Sequence, residues 1–190
     1  MKHASTDLRF KPLGTGNWDD LVALFGERGA CGGCWCMAWR LAPLEFRKRK
    51  GEGNKKALLK LVKTGKPLGV LAYDGDTPIG WCAVAPRESY PRLQGSKVLA
   101  PVDDKPVWSV TCLFIAKEHR RQGVSSELIK AAALFAKQEG ARIVEGYPYD
   151  IASALPDAFV WTGLLPAYLK AGFKEVARRS KHRPIVRKNL

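Results

Sequence analysis

Long apolar runs are missing from this sequence. No run approaches the roughly 20 residues that a helix needs to span a bilayer, and residues 1–7 are polar with no apolar stretch behind them. A membrane-spanning protein and a secreted protein with a signal peptide are therefore both disfavoured. We expect a cytoplasmic protein with no membrane partner.

Cysteine is also scarce, with five residues in the whole chain. An odd number of cysteines, two of them inside apolar strand-like runs, argues against a secreted disulfide framework. The spacing Cys31-x-x-Cys34-x-Cys36 raises a zinc hypothesis, but the second pair of ligands that makes such a motif specific is absent. We favour reduced cysteines in a packed aromatic segment, expect no metal, and interpret Cys112 as a small core hydrophobe rather than a nucleophile.

Acidic residues are few relative to basic ones: 18 Asp and Glu face 32 Lys and Arg, which gives a net charge of +14. Such a charge suits nucleic acid, anionic lipid, acidic proteins or polyanionic cofactors equally well. The densest basic clusters are residues 47–50, with Lys55 and Lys56, and the stretch 178–188. We interpret both as solvated surface and expect no nucleic-acid partner, although the charge leaves that alternative open.

Hydrophobic periodicity and turn residues predict one α/β domain over all 190 residues. The first 66 residues read as mainly helical, with a short buried helix inside residues 31–40. The Asp74-Gly75 turn joins two strands of a hairpin, and residues 86–106 read as a long irregular connection. The remaining elements are predicted strands at 107–115, 141–147, 173–179 and 184–187 and predicted helices at 123–139 and 164–171.

The stretch 107–140 has the order strand, tight loop, helix. A loop of this kind directs free backbone N–H groups and the positive end of the helix dipole at one point. The small residues Gly123, Ser125 and Ser126 let an anion approach those groups. The stretch therefore favours a pyrophosphate site, whereas an ordinary strand-to-helix turn is the alternative.

This unit resembles the GCN5-related N-acetyltransferases (GNAT superfamily). Their pyrophosphate loop reads Arg/Gln-x-x-Gly-x-Gly/Ala, and this chain has Arg120-Arg121-Gln122-Gly123-Val124-Ser125, with serine in place of the final small residue. A second family pattern, Tyr-x-x-x-Gly-Phe, matches Tyr168-Leu169-Lys170-Ala171-Gly172-Phe173. The resemblance covers residues 67–180 well and residues 1–66 poorly.

The resemblance implies a mixed α/β fold with a mostly antiparallel central sheet, splayed middle strands and flanking helices. It further implies acetyl-CoA as co-substrate and transfer of its acetyl group to an amine by direct attack in a ternary complex. Residues 1–66 would form a helical acceptor-side portion and residues 67–180 the coenzyme-binding core. The acceptor and the oligomeric state, including a homodimer, stay open.

The same resemblance assigns coenzyme contacts. The backbone of Leu113, Phe114 and Ile115 would bind the pantetheine arm as if it were an added strand. The pyrophosphate would be bound by Arg120, Arg121, Gln122, Gly123, Val124, Ser125 and Ser126. Trp35, Met37 and Trp39 would line an acceptor pocket or belong to the core.

Two residues are candidates for proton transfer. The resemblance makes Tyr168 the general acid that reprotonates the leaving thiolate; a half-buried packing tyrosine is the alternative. Residues 108–111 lack the carboxylate that many family members use as general base. Glu145 is the substitute candidate, against an interpretation as an arginine-paired glutamate. Because the base is missing, a non-catalytic CoA-binding module remains as an alternative function. The net charge of +14 and the basic clusters keep a nucleic-acid-associated module as another.

Overall fold

A seven-stranded sheet forms the centre of the protein in the computed structural model, which describes residues 8–151 and 160–190. The strands are β1 (Leu8–Pro12), β2 (Gly69–Asp74), β3 (Thr77–Pro86), β4 (Trp108–Ile115), β5 (Ile143–Gly146), β6 (Lys174–Arg178) and β7 (Pro184–Asn189). The helices are α1 (Trp18–Phe25), α2 (Pro43–Lys48), α3 (Glu52–Val62), α4 (Pro91–Gln94), α5 (Val124–Gln138) and α6 (Leu165–Lys170).

The strand order is β1-β2-β3-β4-β5-β7-β6. Every neighbouring pair is antiparallel except β4 and β5, which run parallel. That parallel ladder is short, joining Trp108–Val110 to Val144–Gly146. The two middle strands therefore separate beyond Val110, and the predicted fold class is confirmed.

Apolar side chains cover both faces of the sheet. On one face α5 packs against β2, β3 and β4, with Leu128, Ala132 and Ala136 fully buried at the spacing of one helical stripe. The other face is covered by α1, α3 and the segment around Trp35. A third cluster around Tyr90, Leu93 and Tyr147 continues that layer toward the second half of the sheet.

The segment between α1 and α2 differs from the prediction. Residues 34–40 form successive turns instead of a short buried helix. The backbone φ angle is positive at Ala30, Trp35 and Cys36, which is incompatible with a continuous right-handed helix. The aromatic composition indicated burial correctly, since Trp35 and Met37 lie in the core, but not the backbone path.

The predicted irregular connection 86–106 also contains regular structure. A 3-10 turn at Arg87–Ser89 and the single-turn helix α4 lie within it. Arg87 is buried at 5% exposure and ties the connection to β5. No helix in the described ranges is long and apolar enough to cross a membrane.

Candidate functional site

A groove with a volume of about 680 Å³ lies where β4 separates from β5. Its walls come from the second half of β4, the loop before α5, the first turn of α5, α6, and the residues Ile151, Val160, Gly163 and Leu164 that precede α6. Of the predicted coenzyme residues, nine line it: Leu113, Phe114, Ile115, Arg120, Arg121, Gly123, Val124, Ser125 and Ser126. The structure thus brings together two stretches of sequence that the prediction had assigned to one ligand.

The loop before α5 has the backbone geometry of an anion site. Arg121 and Gly123 have φ angles of 60° and 84°, so the chain turns sharply before the helix begins at Val124. No side chain in the described parts of the protein caps α5, and the Ser126 hydroxyl donates back to the Gly123 carbonyl at 2.9 Å. The first-turn amides and the positive end of the helix dipole are therefore directed at the groove.

Basic side chains surround this end of the groove. Arg120 also supports the loop, because its Nε donates to the Ile115 carbonyl at 2.9 Å. His119 and Lys170 line the groove as well, although sequence reasoning did not select them. Lys170 lies inside the Tyr168–Phe173 motif. Its membership of this motif was the sequence feature that could have identified it as a groove residue. Gln122 does not line the groove, since its side chain donates to the Glu118 carbonyl at 2.7 Å.

The edge of β4 beyond Val110 is occupied by another part of the chain. The Leu113 amide, predicted to serve pantetheine, donates to the Trp161 carbonyl at 2.6 Å. On the other side, the Tyr149 amide donates to the Gly163 carbonyl at 2.8 Å. Residues 160–164, named here the wedge segment, therefore lie between β4 and the chain that continues from β5. Sequence reasoning gave no sign of this arrangement.

Tyr168 is fully buried beneath the wedge segment. Its hydroxyl donates to the Thr162 carbonyl at 3.0 Å, and its ring packs edge-on against Phe173. Burial raises the pKa of Tyr168 well above its usual value, so the phenol stays protonated. Protonation is the state that a general acid needs, but the proton is committed to Thr162. The role of general acid stays a prediction.

Glu145 is fully buried on β5 and both of its oxygens are engaged. Oε1 accepts hydrogen bonds from Arg87 at 3.1 Å and from the Tyr147 hydroxyl at 2.7 Å. Oε2 accepts one from Arg187 Nε at 2.7 Å. This geometry matches the arginine-paired interpretation, and Glu145 does not line the groove. Its predicted role as general base has no structural support.

The cysteines lie apart from this groove. Cys31 is exposed, Cys36 is buried, and the Trp81 indole N–H donates to Cys36 Sγ at 3.0 Å. Hydrogen bonding with Cys112 and with Trp81 lowers the pKa of Cys36, whereas the same contact and burial raise the pKa of Cys112. Within residues 8–151 and 160–190, no three or more His, Cys, Asp or Glu side chains form a group suited to a metal ion.

Trp35, Met37 and Trp39 were expected either to line an acceptor pocket or to pack in the core, and the structure gives different answers for them. Met37 is a core residue, and Trp39 packs beneath the Arg92 guanidinium, 5.6 Å from its ring. Trp35 is almost fully buried and stacks on Trp18, yet its edge borders a second cavity of about 480 Å³. That cavity is lined by Val22, Gly26, Glu27, Trp35, Gly51, Glu52 and Lys55.

The two basic clusters differ in availability. Residues 47–50 are exposed, with Arg49 paired to Glu45. In the stretch 178–188, Arg178 pairs with Glu175 and Asp150, and Arg187 pairs with Asp103 and Glu145. Arg49, Arg178 and Arg187 of the two clusters are therefore engaged in ion pairs within the protein.

Comparison with known proteins identifies one family. Residues 35–149, more than half of the chain, match the model of the acetyltransferase (GNAT) family. No curated protein sequence matches the chain.

Solved structures share the fold at low sequence identity. The PaiA N-acetyltransferase from Thermoplasma acidophilum, in complex with coenzyme A, is 15% identical with a TM-score of 0.55, covering 97% of this chain and 99% of that one. A GNAT-family acetyltransferase from Listeria monocytogenes is 7% identical with a TM-score of 0.61, covering 100% and 99%. An agmatine N-acetyltransferase mutant in its apo form is 10% identical with a TM-score of 0.55, covering 97% and 100%.

Proposed function

This chain belongs to the acetyltransferase (GNAT) family, and we propose that it transfers the acetyl group of acetyl-CoA to an amine by direct attack in a ternary complex. The observation that carries the proposal is the phosphate end of the groove. There the first turn of α5 lines the groove together with Arg120 and Arg121 of the preceding loop, and Lys170 of α6 lines the same groove. A bound pyrophosphate would accept hydrogen bonds from the first-turn amides and would be stabilised by the positive charges.

The shape of the groove supports the rest of the coenzyme. A pantetheine arm is a linear chain with two amides, and it can pair with the free edge of a strand as a peptide does. The second half of β4, at Leu113, Phe114 and Ile115, lines the groove beyond the ladder with β5. In the structure the Leu113 amide of this stretch donates to the Trp161 carbonyl. The PaiA enzyme, whose fold this chain shares, binds coenzyme A, which agrees with acetyl-CoA as the co-substrate here.

The acceptor would enter from the side of the N-terminal residues 1–66. Phe25 of α1 packs against Phe114 of β4 with ring centroids 5.4 Å apart. This contact places α1 directly beside a strand that lines the groove. We infer that the N-terminal portion shapes the acceptor side while the rest of the single domain holds the coenzyme.

In the proposed reaction the nitrogen of a neutral amine bonds to the thioester carbonyl carbon, and the carbon–sulfur bond breaks. The leaving thiolate takes a proton from Tyr168, the amine gives up its own proton to solvent, and the Tyr168 phenolate regains a proton from solvent. Tyr168 lies against β4, since both its ring and the Leu113 side chain crowd the same position at Gly163. We do not assign the role of general base to Glu145, because its two oxygens already accept hydrogen bonds from Arg87, Tyr147 and Arg187.

A non-catalytic coenzyme-binding module is the second candidate. It is favoured by one observation: no Asp or Glu of the described residues lines the groove. An enzyme with this groove takes its acceptor as the free amine, or the amine proton passes to water or to a groove residue other than a carboxylate, such as His119. A module that only binds the coenzyme needs no proton acceptor for an amine.

Two measurements separate the candidates. Acetyl-CoA is expected to raise the melting temperature, because a ligand that binds only the folded state stabilises it. A panel of small amines, peptides and basic proteins is then tested for enzyme-dependent release of free thiol and for an acetylated product. Binding with turnover supports the acetyltransferase, and binding without turnover across the panel supports the module. No shift of the melting temperature at millimolar acetyl-CoA would contradict both.

A further inference from the structure

The wedge segment, residues 160–164, is held like a short strand between two parts of the sheet. On one side the Leu113 amide donates to the Trp161 carbonyl. On the other side the Tyr149 amide donates to the Gly163 carbonyl, and Tyr149 forms a parallel bridge with Leu164. The segment therefore closes the gap that opens where β4 and β5 diverge after Val110.

We propose that the wedge segment occupies the position of the pantetheine arm and must leave it before the coenzyme binds. The inference rests on the proposed function, because it names what regulates the same groove. Two partners compete for one donor: the Leu113 amide is bonded to Trp161 at 2.6 Å, and an arm running along β4 would need that amide. Both cannot use it at once.

The segment is held by backbone contacts more than by buried side chains. Trp161 is 37% exposed and meets the Tyr149 ring edge-on at 6.5 Å. The Thr162 hydroxyl is buried and has no hydrogen-bond partner in the described part of the chain. An unsatisfied buried hydroxyl lowers the stability of the docked position and is relieved when the segment moves into water.

Displacement of the wedge segment would also release Tyr168. Its hydroxyl donates to the Thr162 carbonyl, and both residues are fully buried. When the segment leaves, the phenol loses its acceptor and faces the groove next to Leu113. Coenzyme binding and exposure of the proposed general acid are then one event, which keeps the acid covered until an acetyl donor is present.

Gly163 makes the docked position possible. Its φ angle is +84°, and a Cβ there would lie 2.6 Å from Leu113 Cδ1 and 3.0 Å from Tyr168 Cε2. Alanine at this position is strained in its backbone and also collides with both walls of the gap. Gly163→Ala therefore weakens the docked state without removing any side chain that would touch the coenzyme.

Amide hydrogen exchange on the wild-type protein tests the proposal directly. The Tyr149 amide donates to the Gly163 carbonyl of the segment at 2.8 Å, and this bond breaks when the segment leaves. At saturating coenzyme A we expect exchange of the Tyr149 amide to accelerate about ten-fold or more, while the Ser125 amide slows. The Phe173 amide, which donates to the Tyr168 carbonyl, is the internal reference. Unchanged or slower exchange at Tyr149, with Ser125 protected, would overturn the proposal.

A matched pair of variants gives a second test. Gly140 has a φ angle of +90° with open space around its Cβ position, so Gly140→Ala carries the backbone strain without the collision. By titration calorimetry with coenzyme A, Gly163→Ala is expected to bind about five-fold tighter than wild type, since a larger fraction of molecules is binding-competent. Gly140→Ala should bind like wild type.

The results distinguish a failure of the proposed wedge-segment displacement from a failure of the proposed coenzyme binding. Equal or weaker binding by Gly163→Ala relative to Gly140→Ala overturns the displacement of the wedge segment but leaves coenzyme binding intact. If Gly163→Ala does not fold, the exchange measurement on the wild-type protein decides. Absence of any coenzyme A binding by the wild type, at millimolar ligand, overturns the proposed function itself.

Discussion

The Tyr168 hydroxyl lies 3.0 Å from the Thr162 carbonyl oxygen, and both residues are inaccessible to solvent. This contact links the motif Tyr168–Phe173 to the wedge segment. If the wedge segment is displaced as proposed, this hydrogen bond breaks and the tyrosine proposed as a general acid is uncovered. The proposed displacement therefore predicts that the chemistry of the groove depends on the position of the wedge segment.

Replacing Tyr168 with phenylalanine removes the proposed acid and the bond to Thr162 together. We expect kcat for acetyl transfer to fall about 100-fold, the usual scale of general acid catalysis. Coenzyme affinity should stay equal or improve, since the wedge segment loses a contact. Tyr73→Phe is the control, because it removes another buried hydroxyl that donates to Asp20 far from the groove. Parallel losses of kcat in both variants would argue against a special role for Tyr168.

Arg121 is expected to strengthen coenzyme binding by electrostatic attraction to its phosphates. It lies at the phosphate end of the groove and its side chain is exposed. Arg121→Gln is expected to raise KM for acetyl-CoA about five-fold at low salt, with a smaller effect at high salt because exposed charges are screened. KM for S-acetylpantetheine, which lacks the phosphates, should not change. The control is Arg47→Gln, at an exposed site outside the groove, and an equal effect of both variants would indicate general electrostatics.

Glu145→Gln distinguishes a stabilising role of Glu145 from a role as general base. Removing a buried charge leaves Arg87 and Arg187 without their full partner, and such losses cost about 3 kcal/mol of unfolding free energy. We expect that loss in chemical denaturation, with kcat of the remaining folded protein within about two-fold of wild type. Glu127→Gln, which breaks an exposed pair with Lys130, should change stability by less than about 0.5 kcal/mol. A large kcat loss in a stable Glu145→Gln protein would restore the general-base hypothesis.

Asp103 is expected to make stability depend on pH in the acid range. The hydrogen bond from Arg187 lowers its pKa below the ordinary 3.8. A group whose pKa is lower in the folded state stabilises the protein above its unfolded pKa, and this contribution disappears as the pH falls through the folded value. The melting temperature of Asp103→Asn should therefore decline less than that of wild type between about pH 5 and about pH 3. Asp104→Asn, at the adjacent carboxylate, should follow the wild-type profile.

The sequence was most informative where one local pattern decides the structure. The apolar runs located β4 and α5 to within about two residues, and glycine with two serines located the turn into α5 at 123–126. These elements depend on neighbours close in sequence. The family resemblance, rather than these local patterns, supplied the ten proposed coenzyme residues, nine of which line one groove.

Features that depend on distant partners were missed. The pairing of Glu145 with Arg87 and Arg187 joins three separate segments, and sequence reasoning had no means of choosing the arginines. The helix expected at 31–40 failed because tertiary packing holds Trp35 and Cys36 at positive φ. The wedge segment has no periodic pattern, and its position follows only from the gap between β4 and β5.

The most direct test of the account is an NMR titration of the protein with acetyl-CoA, followed at the backbone amides of Gly123, Val124 and Ser125. If the loop and the first turn of α5 bind the pyrophosphate, these three signals shift and saturate together, and S-acetylpantetheine leaves them in place. Saturable binding of acetyl-CoA that leaves the three amides unperturbed would contradict the account.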